Sequence, residues 1–289
     1  MANNIQLVEK MLPLVDEVYR VEAKSSILDV PNVLTQDTGD AKTIKVAKIS
    51  LDGLGTYDRE TGFPEGAIDL EWETHTFTNE RGKRFTLDRM DNIESFGLIA
   101  ATMINRFTRD HVLPEVDAYR FAKIATLGKH KVSADLTKDD AEGALDEALV
   151  TLEEIGIDAS QLVIFSTPRF MQKLQNGVER TVLNGEKGIS KVINTYADVP
   201  VIKVPQNRFY SQVTLGDNGF TKTEGAKDIN FIVMDKAASY NFIKLNIAKL
   251  FTPDENQKID KWQWDFRLYH DTFVLDNKKA GIYVHTANA

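Results

Sequence analysis

The sequence predicts an α+β fold, and three observations carry that prediction. One stretch, from Asp91 to Leu127, keeps an apolar stripe at helical spacing; the middle of the chain mixes short apolar runs with helical ones; and the chain ends in long alternating runs of strand type. With 289 residues and 42% hydrophobic composition, the chain can bury a sizeable core in one large domain or two.

Composition narrows the function. No apolar run approaches the roughly 18–20 residues of a membrane span, and the N-terminus lacks the basic-then-apolar order of a signal peptide. Cysteine is absent, which excludes disulfides, thiolate nucleophiles and cysteine-based zinc sites and fits a reducing compartment. A formal net charge of -8 and a pI near 5.3 argue against sequence-specific DNA binding. Proximity to packed DNA without a grip on it stays compatible.

Residues 1–40 place Ile5, Val8, Met11, Leu12, Val15, Val18 and Tyr19 at helical spacing, interrupted by Pro13 and followed by a polar run with Ser25, Ser26 and Pro31. A lone helix of about 12–15 residues is marginal in water. The segment therefore reads as an arm that docks on another surface, with a first core helix as the alternative.

Residues 41–90 read as an extended hairpin. Ile44, Val46, Ile49 and Leu51 mark a strand; Gly53, Gly55, Gly62, Pro64 and Gly66 punctuate a loop; and Ile68, Leu70, Trp72 and Thr74 alternate against Asp69, Glu71, Glu73 and His75 as a half-buried strand. Asn79-Glu80-Arg81-Gly82-Lys83 is a turn signal with Phe85 and Leu87 alternating beyond it, so the hairpin is expected to fold back there. A two-stranded ribbon is marginal alone, so its apolar face needs cover from the helix that follows or from another subunit.

Residues 91–143 hold that helix. Ile93, Phe96, Gly97, Ala100, Met103, Ile104, Phe107, His111, Pro114 and Ala118 recur at three- and four-residue steps, Asp91 or Asn92 can cap the start, and Gly128 ends it. Pro114 cannot donate to the carbonyl four residues back, so a kink or restart is expected at Pro114. The rod would be on the order of 50 Å long, more than a compact core needs.

Residues 144–238 alternate helix and strand. Thr137-Lys138-Asp139-Asp140 opens a helix with the stripe Leu145, Ala148, Leu149, Leu152 and Ile155, stopped by Gly156. Leu162 to Phe165 is a buried strand, and Ser166-Thr167-Pro168 launches a helix through Phe170, Met171 and Leu174. A glycine-bearing polar stretch (Asn176, Gly177, Asn184, Gly185, Gly188) precedes apolar runs at Val199 to Pro205 and Phe231 to Met234. In residues 239–289 three strands are expected: Tyr240 to Leu245, Trp262 to Tyr269, and Phe273 to Val284.

Chemistry-bearing patterns are missing. The five histidines (His75, His111, His130, His270, His285) lack the paired spacing of a zinc site. His270-Asp271 has no serine elbow or cysteine partner. Gly53-Leu54-Gly55 lacks the third glycine of a dinucleotide loop, and no phosphate-binding GxxxxGK[ST] occurs. The carboxylates from Asp139 to Glu154 suit a solvated helix face. No catalytic residue, cofactor or metal site is expected. Lys42, Lys45, Lys48, Arg81, Lys83 and Arg84 make the hairpin locally basic, and Glu71, Glu73 and Glu80 beside them favour ion pairing between subunits over a phosphate patch.

The unusual features are thus architectural: an arm, a projecting hairpin and an overlong helix. Such elements gain stability by lying on copies of themselves. We expect contacts between copies at Trp72, Phe77, Arg81, Lys83, Arg84 and Phe85.

The run Leu70 to Phe77, the sequence Glu80-Arg81-Gly82 and above all Val112 to Arg120 resemble the major capsid proteins of tailed bacteriophages. That family has the Hong Kong 97-like coat-protein fold, shared with encapsulins. The resemblance spans nearly the whole chain and implies an N-terminal arm (1–40), an extended loop or E-loop (41–90), a spine helix with the start of the P-domain (91–143), an A-domain (144–238) and return strands of the P-domain (239–289). It implies a virion protein, assembled in the host bacterial cytoplasm, that forms pentamers and hexamers and tiles an icosahedral head around double-stranded DNA. E-loops would lie over adjacent subunits and spine helices would flex during expansion. A portal and a separate scaffolding protein are the implied helpers, since only about forty residues precede the hairpin. Some members link a lysine to an asparagine covalently. Lys48, Lys83 and Asn277 lie in matching regions without a matching acid, and no such link is expected. An encapsulin-like compartment, and more remotely a soluble enzyme, are the alternatives.

Overall fold

A computed structural model describes residues 23–29, 35–37, 42–60, 62–90, 103, 105–177, 195–256 and 259–288. The expected amphipathic segment through Tyr19, the first part of the long helix with its caps, and the polar stretch at 178–194 lie outside the described residues.

In chain order the strands begin with β1 (Thr35–Asp37), β2 (Thr43–Leu51), β3 (Ile68–Thr76) and β4 (Asn79–Asp88). A π-helical turn, Thr108–Val112, leads into helix α1 (Leu113–Leu127). Then come β5 (His130–Ser133), α2 (Asp140–Glu153), β6 (Leu162–Ser166), α3 (Pro168–Gly177), β7 (Thr195–Tyr196) and β8 (Val199–Lys203). The chain continues with β9 (Val213–Gly216), β10 (Gly219–Lys222), β11 (Ile229–Asp235), β12 (Ser239–Phe251), β13 (Lys261–Val274) and β14 (Ile282–Thr286).

The main body is a six-stranded mixed sheet in the order β5-β14-β11-β6-β8-β7. Its central strands β14, β11 and β6 are near-continuous apolar runs, as expected where both faces are covered. Val163, Phe165, Ile232, Met234, Ile282 and Val284 face one core with Phe121 and Ile124 of α1. The alternate residues Ile164, Phe231, Val233 and Tyr283 face a second core with Leu145, Leu149 and Leu152 of α2 and Phe170 and Leu174 of α3. The sheet takes β5 and β14 from outside the 144–238 stretch.

Helix α1 spans two bodies. Its C-terminal half packs on the six-stranded sheet, while Leu113 and Val116 pack on Trp264, Phe266 and Leu268 of a three-stranded sheet ordered β12-β13-β4. The expected alternation from Trp262 holds, with Trp264, Phe266 and Leu268 buried and Arg267 exposed. Gly128 closes α1 as expected, and a Cβ there would stand 2.7 Å from Ile282 Cγ2, so close helix-to-sheet approach also requires glycine.

Three expectations need correction. Asn79 to Lys83 is not a turn but the start of a ten-residue strand paired with β13 from His270↔Asn79 to Lys261↔Asp88. Its Gly82 serves close approach, since a Cβ would lie 3.0 Å from the Phe266 carbonyl oxygen. The hairpin is instead formed by β2 and β3, closed by the glycine-rich loop between Leu51 and Ile68. Phe273 to Val284 is not one strand, because a 3-10 turn at Asp276–Gly281 separates β13 from β14 and sends them to different sheets. In the long helix, the π turn inserts an extra residue and rotates the stripe: His111 is exposed and the buried face runs through Leu113, Val116, Ala118, Phe121 and Ile124. Pro114 sits in the first turn of α1, and the backbone stays helical through Val112 and Leu113.

Candidate assembly interface

Among the described residues, the β2–β3 ribbon carries a large exposed apolar face. Register pairs Ala47↔Trp72, Ile49↔Leu70 and Leu51↔Ile68 put five large apolar side chains on one face. They are open: Trp72 is 42% exposed, Ile49 54%, Leu70 55%, Leu51 69% and Ile68 75%. Among the described residues, helix α1 does not cover them. Leu54, Tyr57 and Phe63 extend the apolar surface into the tip loop, where the Tyr57 and Phe63 rings lie 4.9 Å apart. At about 3.3 Å per residue, nine paired residues carry that tip roughly 30 Å from the base.

The base, in contrast, is moored. Val46 is buried against Tyr240 and Leu275, and the His75 ring stacks on Phe273 at 4.7 Å. Just beyond β3, Thr78 donates its amide (2.9 Å) and hydroxyl (3.0 Å) to Asp271 Oδ2. Tyr119 of α1 donates to Asp271 Oδ1 at 2.9 Å, and Lys123 Nζ pairs with the same oxygen. Burial of Asp271 opposes its charge, but Lys123 and the amides of Thr78 and Thr272 outweigh that and hold the carboxyl below its usual range. Burial pushes His270, next in the strand, down to about 3, and the Arg120 charge adds to that. A rigid root under an uncovered blade is a geometry for reaching another molecule.

The residues singled out from sequence divide in two. Trp72 lies on the open ribbon face. The other five already have partners in their own chain: Phe77 is buried with Tyr269 and Phe273, each at 5.3 Å, and Phe85 stacks on Trp264 at 5.5 Å. Arg81 donates to Glu115 Oε1 and to the Gly216 carbonyl, both at 2.6 Å, and Arg84 Nε donates to Asp265 Oδ1 at 2.6 Å. Lys83 Nζ donates to Asn218 Oδ1 at 3.0 Å and the Asp217 carbonyl at 3.2 Å.

A buried ionic knot escaped the sequence reading. Asp117, fully buried on α1, accepts from the amide (3.1 Å) and hydroxyl (2.7 Å) of Ser25, the Lys24 amide (3.0 Å) and Arg208 Nη1 (3.0 Å). Arg120, also fully buried, donates to Ser25 Oγ at 3.1 Å and pairs with Asp29 at 3.0 Å. The knot ties residues 23–29 to helix α1 and the loop after β8. Its signal was available: Asp117 and Arg120 interrupt an otherwise apolar run from Val116 to Ala122.

Among the described residues, no group of three or more His, Cys, Asp or Glu side chains is arranged to hold a metal ion, and no helix is long and apolar enough to cross a membrane. No protein-family model matches the sequence, and no curated protein does either. Solved structures match in shape. The capsid structure of cyanophage P-SCSP1u superposes with a TM-score of 0.64 over 90% of this chain and 86% of its own, at 14% identity. The mature capsid of bacteriophage PhiM1 gives 0.60 over 86% and 82%, at 9% identity.

The fold is that of phage capsid proteins.

A virus-like particle from Pyrococcus furiosus shares this capsid-type fold, with a TM-score of 0.58 and 12% identity over 99% of this chain and 100% of that one. Within this α+β architecture the described chain comprises the β2–β3 ribbon with β1 alongside β2, helix α1, the six-stranded sheet with α2 and α3, the β12-β13-β4 sheet and the β9–β10 pair.

Proposed function

We propose that the protein is a major capsid protein of a tailed phage, self-assembling through pentamers and hexamers into an icosahedral head that encloses double-stranded DNA. The observation that carries this reading is the ribbon: a projecting β-hairpin with five large apolar side chains open on one face, on a chain whose fold matches phage capsids. Exposed apolar area of this extent marks an interaction surface, and copies of one chain closing on each other give every ribbon a cover.

In this reading the ribbon is the E-loop, α1 belongs to the spine, the β12-β13-β4 sheet to the P-domain and the helix-covered sheet to the A-domain. Trp72 makes the direct contact between copies. Phe77 and Arg84 hold the ribbon root and the sheet in shape, and Arg81, Lys83 and Phe85 shape the receiving surface. DNA is held by enclosure, consistent with the net charge of -8. Portal and scaffolding proteins are the partners outside the shell lattice. The role is structural, and the virion is its location.

The match to the Pyrococcus furiosus particle favours one other reading, an encapsulin-like compartment with protein cargo. Electron microscopy of the expressed protein with analysis of particle contents tests both. Large closed particles are expected, and a soluble monomer at high concentration would contradict the shell reading. Particles that copurify a folded protein cargo and never package DNA in infected cells would favour the compartment.

A further inference from the structure

The turn between β9 and β10 carries a chemistry that shell formation does not use. Gly216 pairs with Gly219, so Asp217 and Asn218 are the residues that reverse the chain. Gly219 holds φ at +119°, a region that residues with a Cβ rarely adopt, and beyond its chain neighbours no heavy atom lies within 4 Å of where a Cβ would stand. No side chain crowds the approach to its amide nitrogen.

The Asn218 side chain is exposed, and its amide is polarised from outside the turn. Lys83 Nζ, reaching across from β4, donates to Asn218 Oδ1 at 3.0 Å and to the Asp217 carbonyl oxygen at 3.2 Å. A cation on the amide oxygen makes Cγ more electrophilic and favours negative charge on that oxygen, as the donors of an oxyanion hole do. Arg81, also on β4, donates to the Gly216 carbonyl oxygen at 2.6 Å, so β4 grips the turn at two places.

We infer that Asn218 is a site of spontaneous covalent modification, cyclising onto the Gly219 amide and opening to aspartate or isoaspartate, with Lys83 as the residue that promotes it. The Gly219 amide gives its proton to hydroxide from water, and the electron pair of its nitrogen forms the bond to Asn218 Cγ. The oxyanion that develops on Oδ1 faces Lys83. As it collapses, the Cγ–Nδ2 bond breaks and ammonia leaves with a proton taken from water. Water then adds to either carbonyl of the cyclic imide. Opening on the side-chain carbonyl gives aspartate, and opening on the main-chain carbonyl gives isoaspartate. Either product sets a carboxylate where Lys83 now meets a neutral amide, and each conversion adds one negative charge to the copy that undergoes it. Isoaspartate also routes the main chain through the side-chain carbon, which should loosen the grip of Lys83 and Arg81 on the turn.

The test ages the whole chain in warm, mildly alkaline buffer and follows it by peptide mapping with mass spectrometry, with an isoaspartyl methyltransferase counting isoaspartate. Conversion at Asn218 is expected in the folded wild-type chain, and Lys83→Met should slow it several-fold. In guanidinium chloride the two chains should convert at the same rate, because Lys83 no longer reaches the turn. Conversion at Asn176-Gly177 in the same digests is the internal reference and should not respond to Lys83→Met. An Asn218 that stays intact in the folded chain while the unfolded chain converts would overturn the inference. Equal rates in folded wild type and Lys83→Met would overturn the role of Lys83. Neither result bears on shell formation, which the inference does not require.

Discussion

The six-stranded sheet and the projecting ribbon are built from the same kinds of residue, yet Ile164 and Phe231 are fully buried while Ile68 and Leu70 are mostly exposed. In the sheet, successive residues of β6 and β11 face two different cores, each closed by helices of the same chain. In the ribbon, alternate residues of β2 and β3 line a face that no described residue covers. Apolar content alone therefore does not say where a core is; the difference lies in who supplies the opposite layer. A protein that completes one sheet by itself and leaves another open divides its stabilisation between folding and association.

That division can be broken from either side. The largest effect on the lone subunit is expected from Phe231→Ala, which opens a cavity in the helix-covered core and should cost about 3–5 kcal/mol in denaturant unfolding. Asp117→Ala should follow, near the low end of roughly 3–5 kcal/mol, because it leaves the Arg208 guanidinium without its carboxylate while that arginine keeps some water contact. The readout is again unfolding, with proteolytic release of residues before Ala23 as a second one.

Acid sharpens the contrast further. Folding holds His270 at about 3, below the ordinary histidine value of roughly 6.5, so the unfolded chain binds the proton first. The stabilisation from neutral His270 is complete above about pH 6.5 and is lost as pH falls toward 3, at up to about 1.4 kcal/mol per pH unit. Stability measured from pH 7 to pH 4 should fall, and His270→Gln should flatten that slope. Burial pushes His75 and His285 in the same direction.

On the ribbon, Trp72→Ala combined with Leu70→Ser should change subunit stability by only about 0.5 kcal/mol, the range of ordinary surface substitutions, while abolishing particle formation in electron microscopy. Normal particles from this variant would remove the ribbon from the interface. The smallest effect is expected from Pro114→Ala. It restores a donor near the π turn and should alter amide exchange at 108–112 with less than about 1 kcal/mol in stability.

Much of this was legible in the sequence. Trp264, Phe266 and Leu268, the helix stripe through Leu149 and Leu152, the strand at Leu162 to Phe165 and the stop at Gly128 all follow from periodicity and caps, because local pattern and tertiary packing agree there. The turn reading at Asn79 to Lys83 failed because glycine signals either a turn or a close approach, and only the pairing with β13 decides between them. The π turn left no local mark beyond Pro114. Asp117 and Arg120 were visible as charges in an apolar run, but their partners Ser25 and Arg208 lie far away in sequence. The open face of Ile68, Leu70 and Trp72 looked half-buried because alternation reports that a face is apolar, not which molecule covers it.

The most direct test of the central claim is hydrogen exchange along β2 and β3, compared between dissociated subunits and assembled particles. The account predicts fast exchange of ribbon and tip amides in the free subunit beside slow exchange in β6 and β11, and strong protection of the ribbon once particles form. Equal protection of the ribbon in a dilute monomer, or no gain on assembly, would contradict it.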